Sequence, residues 1–454
     1  MHKKCSEIAK MLGIEWDERN QDRMVSGVCF DSRQVKENNL FIPLIGEKVN
    51  GHIFGQQVAD AGASCILWNE DEENVPTGIC VLKVKNTATA FSQLARSYRD
   101  LCGFKVVGIT GSNGKTSTKD LVAGVLSAKY KVQKTSGNYN SEVGVNYTLL
   151  NFDEDIDVGV VEIGMERMHE VQELCEIARP DIGIITNVGT AHLENLKTQE
   201  NIAKAKCEMI DSLSREGVFI YNGDDPFLMA EIRHHALPKK TYSYGEKDYN
   251  DCHLKSFSQS EKGIQFSCNL MSTISSSLLG KHQAMNGMAA ILVARMLDLS
   301  DEEIRRGFSL VQPTKWRTQL ESLGDCKVLN DVYKSNPQSA VAALDTFQEL
   351  NCDEKIIVLG DMFDLGKDTL QIHYDLGKKV AQYDCQLLVC VGELAAQIHQ
   401  GACESGVNSK WVLTRDEAKE ILKPYIHKNC MMLIKGSRGM HLDLLLDDLR
   451  REAV

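Results

Sequence analysis

Hydrophobic positions along the chain fall into two rhythms. From Phe104 onward, short unbroken apolar runs recur: "FKVVGIT", "DIDVGVVEIG", "PDIGIITNVG" and "GVFIYNGDD". Each stops at a polar or glycine-rich stretch. Runs of this length without alternation mark strands buried on both faces, as in a parallel sheet. Between them the spacing turns helical, with Leu121, Val122, Val125 and Leu126 on one face. The pattern predicts an α/β fold whose site lies at the carboxyl ends of the strands. The polar stretch "YGEKDYNDCHLKSFSQSEKG" predicts a turn-rich β insertion at the surface. After Pro313 a second α/β series begins, with "KVLNDVY", "KIIVLGDM", "QLLVCVGE" and "MMLIKGSRG", and reads as a smaller nucleotide-type fold.

Residues 1–104 read as a separate mixed α/β unit. "MVSGVCFDSRQV", "NNLFIPLIG" and "ASCILW" are short strand-like runs, and "GHIFGQQVADAGA" has helical spacing ending in glycine. The opening "MHKKCSEIAKMLGIEWDERN" has no apolar central region, so a surface helix is expected there rather than a signal peptide. Domains are therefore expected at 1–104, 105–312 and 313–454, in keeping with roughly 150 residues per domain.

The net charge of −12 argues against binding to nucleic acid or a membrane surface, yet leaves room for local Lys and Arg to gather an anionic ligand. Fifteen cysteines are scattered with no C-x-x-C pair, which speaks against a zinc ribbon or a thioredoxin-type site. Unpatterned thiols in this number fit a reducing, cytoplasmic compartment. No run is apolar enough to cross a membrane.

The sharpest chemical signal is "GITGSNGKTST". Gly114-Lys115-Thr116 fits a phosphate loop, but Ile109 stands where the usual pattern has its first glycine; the glycines are Gly108 and Gly111. The physics survives the shift. Small residues let the backbone amides of Thr110, Gly111, Ser112, Asn113 and Gly114 close around phosphate oxygens, and the helix amino terminus adds positive field. Lys115 would reach the β- and γ-phosphates, and the Thr116 hydroxyl would bind Mg²⁺. Glu162 ends the strand "GVVEIG", and His192 follows the next strand in "ITNVGTAHLE". Alone, a strand-end carboxylate is more often solvated and a single histidine more often structural. Two of them on neighbouring strand ends beside a phosphate loop point to metal and phosphoryl chemistry.

These residues resemble the Mur ligase family. "GITGSNGKTST" is similar to its ATP loop. "FDSRQVKENNLFIPLIGEKVNGHIFGQQVADAGA" looks like its UDP-sugar domain, "GNYNSEVGV", "EIGM", "NVGTAHLE" and "AKAKCEMI" like its central ATPase, and "NDVYKSNPQS", "GDMFDLG" and "KGSRG" like its carboxyl-terminal domain. The last two most resemble the branch that adds D-alanyl-D-alanine to the peptidoglycan precursor. There are departures: Asn50-Gly51-His52 replaces Asp-Gly-His, Asn146 replaces a proline, Lys334 stands at an often neutral position, and Trp316-Arg317 lacks a preceding glycine.

The resemblance implies a P-loop ATPase-type central sheet, a Rossmann-like carboxyl-terminal domain and a smaller UDP-sugar domain. It implies an ATP-dependent, Mg²⁺-requiring ligase joining D-alanyl-D-alanine to UDP-N-acetylmuramoyl-tripeptide through an acyl phosphate, acting as a monomer. By resemblance, Ser32, Arg33, Asn138 and Asn140 contact the UDP-sugar peptide, and Asn286 and Tyr333 contact adenine. Arg317 and Asp331 hold phosphate and ribose. Lys435, Ser437 and Arg438 hold the acceptor dipeptide, and Lys206, as a carbamate, joins Glu162 and His192 at a second Mg²⁺. The alternatives are another Mur-type or folylpolyglutamate ligase, or a P-loop nucleotide switch; the guanine-reading N-K-x-D motif of GTPases is absent.

Overall fold

The computed structural model describes residues 1–18 and 21–452. Three larger sheets follow one another along the chain, each flanked by helices, beside a two-stranded antiparallel pair, His2–Lys4 with Met24–Ser26, and together they give a three-domain α/β architecture.

In the first, the strands Val28–Cys29, Leu40–Phe41, Cys65–Asn69 and Cys80–Val84 run parallel in sequence order. Alternation sends Phe41, Ile66 and Trp68 to one face, against Val58 of the helix Gly55–Asp60. Leu40, Cys65, Leu67 and Leu82 face the helices Cys5–Leu12 and Thr87–Cys102. The opening helix is a surface helix with one face packed, leaving Glu7 and Lys10 exposed on the other. Cys5, Ile8, Ala9 and Leu12 recur three and four apart and are all buried. The Met1 amine donates to the carbonyls of Leu150 (2.7 Å) and Phe152 (3.2 Å), tying this domain to the next.

The central sheet has nine strands. Lys105–Thr110 lies between Val158–Glu162 and Ile182–Ile185, all parallel. The chain leaves this strand to one side and later returns on the other, so a crevice opens at its carboxyl end. The polar insertion extends the sheet as an antiparallel edge, Cys252–Ser260, Gly263–Cys268 and Met271–Ser276. It is only half a surface feature: Ile264, Phe266 and Ile274 share a core with Met288 and Ile291 of the helix Lys281–Met296.

The third sheet has six strands. Cys326–Asp331, Cys430–Lys435, Glu354–Gly360, Leu387–Val391 and Ser409–Val412 are parallel, with Gln319–Leu323 antiparallel at one edge. Among the described residues no helix is long and apolar enough to cross a membrane.

Candidate active site

The strand Lys105–Thr110 is buried along its apolar run and delivers the chain into the glycine loop. Gly111 has φ +147°, and a Cβ there would sit 1.8 Å from Thr186 Oγ1, so no larger residue fits. Gly114 has φ +81° and opens the helix Lys115–Leu126 with no side-chain cap, leaving that terminus to a ligand. The loop is clamped to the one after Ile182–Ile185. Ser112 N donates to Asn187 O (2.9 Å), Asn113 N to Asn187 Oδ1 (2.9 Å) and Thr186 Oγ1 to Asn113 O (2.6 Å). Lys115 Nζ folds back onto Gly111 O at 2.6 Å. Burial, then the positive charge of Lys334, lowers Lys115 to about 8.

A cavity of ≈ 810 Å³ spreads from this loop. Glu162 lies on its wall and is 2% exposed, so the strand-end carboxylate is buried rather than solvated. Its Oε1 accepts from Asn140 Nδ2 at 2.8 Å, while Oε2 is buried with no hydrogen-bond partner, its nearest cation Lys119 Nζ 4.0 Å away. A buried carboxylate oxygen left bare is costly unless a cation completes it. Thr116 and His192 lie on the same wall. Burial, then Lys334, Lys115 and Lys206, holds His192 down at about 3, so its imidazole is neutral and free to ligate.

Lys206, on the helix Gln199–Ser212, stands behind this wall rather than on it, 1% exposed. Burial pushes its amine well below the usual lysine range, with Lys115 and Lys334 adding to the effect.

The third domain closes the cavity from the other side. Arg317 Nη2 donates to Thr116 Oγ1 at 3.1 Å, and its guanidinium lies 4.1 Å from the centre of the Tyr333 ring. Asn336 Nδ2 donates to Asn113 Oδ1 at 2.7 Å, and Thr190 Oγ1 to Gln338 Oε1 at 2.8 Å. Asp331 accepts from Lys435 Nζ (2.7 Å) and Thr318 N (3.2 Å). Lys435 also donates to Lys334 O at 2.9 Å, so its charge is committed inside the wall. Ser437 Oγ accepts from Phe363 N at 3.1 Å. Arg438 stacks 4.3 Å over the Trp316 ring and pairs with Asp443 at 2.7 Å.

Thus Ser112, Asn113, Gly114, Lys115, Thr116, Asn138, Asn140, Glu162, His192, Asn286, Arg317, Asp331, Tyr333, Lys435, Ser437 and Arg438 all line one cavity. Thr110 and Gly111 lie just beneath it. Ser32 and Arg33 do not reach it. They sit on a turn of the first domain, where Arg33 makes a two-pronged pair with Asp31 (2.9 and 2.8 Å). Phe30, next to that turn, meets the Tyr139 ring edge-on at 6.2 Å, which sets the turn beside the loop carrying Asn138 and Asn140.

Sequence reasoning missed three charged groups here. Lys334 was visible only as a departure from a pattern, yet it lines the cavity, and burial, then Arg317, lowers its pKa. Asp225 also lines the cavity and caps its own helix through Leu228 N (2.9 Å). Lys119 is buried beside Asp120 (3.6 Å) and Glu162. No local pattern marks the last two; only the fold brings them in.

The loop "GDMFDLG" is held by His373. Its Nδ1–H donates to Thr369 O (2.7 Å) and its Nε2 accepts from Met362 N (2.9 Å), so the neutral ring uses both nitrogens. Burial lowers its pKa. A histidine depressed in the folded state contributes stability above its unfolded value of about 6.5, and that stability is lost as pH falls below it. Melting temperature should therefore fall on acidification below about pH 6.5, and less steeply in His373→Gln. Identical acid limbs in the two proteins would contradict the assignment.

The sequence matches the Mur ligase family catalytic domain over residues 24–99, the Mur ligase middle domain over 109–294 and the Mur ligase glutamate ligase domain over 316–438. It is 36% identical over 449 residues to the UDP-N-acetylmuramoyl-tripeptide–D-alanyl-D-alanine ligase of Bacillus subtilis, covering 97% of each chain. The structure superposes on crystalline MurF from Acinetobacter baumannii with a TM-score of 0.90 at 28% identity, covering 99% of each chain. It shares its fold with MurF of Thermotoga maritima in complex with ADP, at a TM-score of 0.83, 24% identity and coverage of 94% and 98%. With its three domains in this order and a relative this similar along nearly the whole length, the chain belongs to the Mur ligase family.

Proposed function

We propose that the chain joins D-alanyl-D-alanine to UDP-N-acetylmuramoyl-tripeptide at the expense of ATP, completing the pentapeptide precursor of peptidoglycan. Its domains would be 1–104 for the UDP-sugar, 105–312 for ATP, and 313–454 for the acceptor and the far side of ATP. The observation that carries the reading is the cavity in which Lys115 and Thr116 face Arg317 and Asp331 across two domains, with the Glu162 carboxylate on its wall.

The chemistry follows from the charges. A carboxylate is a poor electrophile, so the tripeptide carboxylate first takes the γ-phosphoryl group of ATP and releases ADP. The dipeptide amine then adds to the acyl carbonyl and expels phosphate, carrying away one former carboxylate oxygen. Two anions must approach in the first step. Lys115, Lys334 and Arg317 offer positive charge on the side where phosphate would lie. Asn138 and Asn140 would orient the nucleotide peptide, with Ser32 and Arg33 at the far uridine end. Asn286 would meet adenine. Arg438 suits the dipeptide carboxylate, while Lys435 fixes Asp331 for ribose. With ¹⁸O in the tripeptide carboxylate, one labelled oxygen should appear in each released phosphate; unlabelled phosphate would rule out the acyl phosphate.

Mg²⁺ fits this donor set. Thr116 and Glu162 offer hard oxygen ligands, Glu162 with an oxygen that accepts no hydrogen bond, and His192 offers a neutral nitrogen. When bound, the metal neutralises phosphate charge and polarises the reacting group. Lys206 would join as a carbamate: its neutral amine adds CO₂ and releases one proton, becoming an anionic oxygen ligand. Its burial among cations is the support for a free amine at neutral pH.

Lys334 gives a sign-specific prediction. Without ligand, like charges crowd Lys115, Arg317 and Lys334. Lys334→Met should leave the melting temperature unchanged or raised, yet lower kcat/KM by about 10²-fold. A variant that is less stable and fully active would contradict the role.

A further inference from the structure

Far from the cavity, on the inner face of the first sheet, three cysteines meet. Cys65 and Cys80 open adjacent parallel strands and are register partners, so their side chains point the same way, about 4.8 Å apart along the backbone. Cys5 opens the helix Cys5–Leu12, which packs on that face. The three Sγ atoms all lie within 4.8 Å of one another, in residues 0%, 0% and 3% exposed. All are free thiols.

Cysteines in a core often serve only as small apolar residues. The geometry of this trio asks for more. A helix and two neighbouring strands bring three sulfurs within reach of a single ion. The Arg23 guanidinium places a positive charge near Cys80. That guanidinium is fixed in place by Gly78 O (2.9 Å) and by Gln21 Oε1 (3.0 and 2.9 Å).

We propose that Cys5, Cys65 and Cys80 form a binding site for a thiophilic divalent d¹⁰ cation, Zn²⁺ foremost, which staples the first helix to the sheet. The donor set decides the class. Three sulfurs with no oxygen ligand exclude hard Mg²⁺ or Ca²⁺ and select soft or borderline ions. Zn–S bonds of about 2.3 Å place trigonal sulfurs about 4 Å apart, inside the observed limit. Three thiolates and a divalent ion leave one negative charge, which Arg23 offsets; a monovalent ion would leave two. The site lies outside the ligation chemistry and stands or falls without it.

The test uses the full chain, reduced and freed of metal with a chelator, and titrated with Cd²⁺ alone. Thiolate-to-cadmium charge-transfer absorption should rise and saturate at one ion per chain, with Zn²⁺ competing it away. Cys5→Ser, Cys65→Ser and Cys80→Ser should each abolish the step, while Cys403→Ser, at an exposed position, should keep it. Because a core substitution can prevent folding, the unaltered protein supplies a second readout. During partial thermal opening, Zn²⁺ should shield these three cysteines, and not the others, from maleimide as read by peptide mass spectrometry. No charge-transfer step, a step that survives all three substitutions, or equal labelling with and without Zn²⁺ overturns the proposal.

Discussion

Lys115→Ala should reduce kcat/KM on the order of 10³-fold while leaving the melting temperature nearly unchanged. The lysine begins the helix Lys115–Leu126 and packs little of the core. Its Nζ rests on Gly111 O and Ser112 O, contacts that a triphosphate would replace. Lys334 adds charge near the same place, but it comes from the third domain and not from the loop that would hold the phosphates. Arg317 reaches Thr116 from the third domain, and Lys119 is buried beside Asp120 and Glu162. Burial lowers Lys115 to about 8, so near neutral pH the group is still mostly charged, and an incoming anion would raise it further. Steady-state kinetics with a thermal melt of each protein checks this. Near-normal turnover in the variant would remove the phosphate loop from the reaction.

The second large effect is expected at Lys206. Lys206→Ala should be almost inactive, and acetate or formate should restore part of the activity by supplying the missing oxygen ligand. Lys206→Arg should not work, because guanidinium stays charged and cannot add CO₂. The helix Gln199–Ser212 holds the residue 1% exposed behind His192, close enough for its charge to depress that histidine. A fixed positive charge there would repel Mg²⁺ from Glu162 and His192; a carbamate would attract it. Normal turnover of Lys206→Arg, or rescue of Lys206→Ala by no small carboxylate, would contradict this role.

How far the fold could be read depended on how local its causes are. Unbroken runs such as "KVVGIT" and "IIVLG" can only be central strands, and both proved buried and parallel. The glycine loop was legible despite its spacing because strand, glycines, Lys115-Thr116 and helix follow in order; that Gly111 passes beneath Thr186, where no Cβ fits, only the fold reveals. The opening helix was legible as an element, but its packed face was not. Its charged residues drew attention from the spacing of Cys5, Ile8, Ala9 and Leu12, which alone decides burial. In the site, strand ends announced Glu162 and His192. Asp225 and Lys119 carry no local signature, because their places depend on which helix packs beside which strand. Ser32 and Arg33 were assigned by likeness alone, and their turn lies outside the cavity, reaching it only through the Phe30–Tyr139 contact.

The most direct test of the proposed reaction is the mass of its product. The chain would be incubated with ATP, Mg²⁺, UDP-N-acetylmuramoyl-tripeptide, D-alanyl-D-alanine and competing single amino acids at equal concentration. The account predicts one new nucleotide, heavier than the tripeptide substrate by the dipeptide less water, with one ADP and one phosphate formed per molecule. A product carrying a different acceptor, or phosphate released with no dipeptide joined, would contradict it.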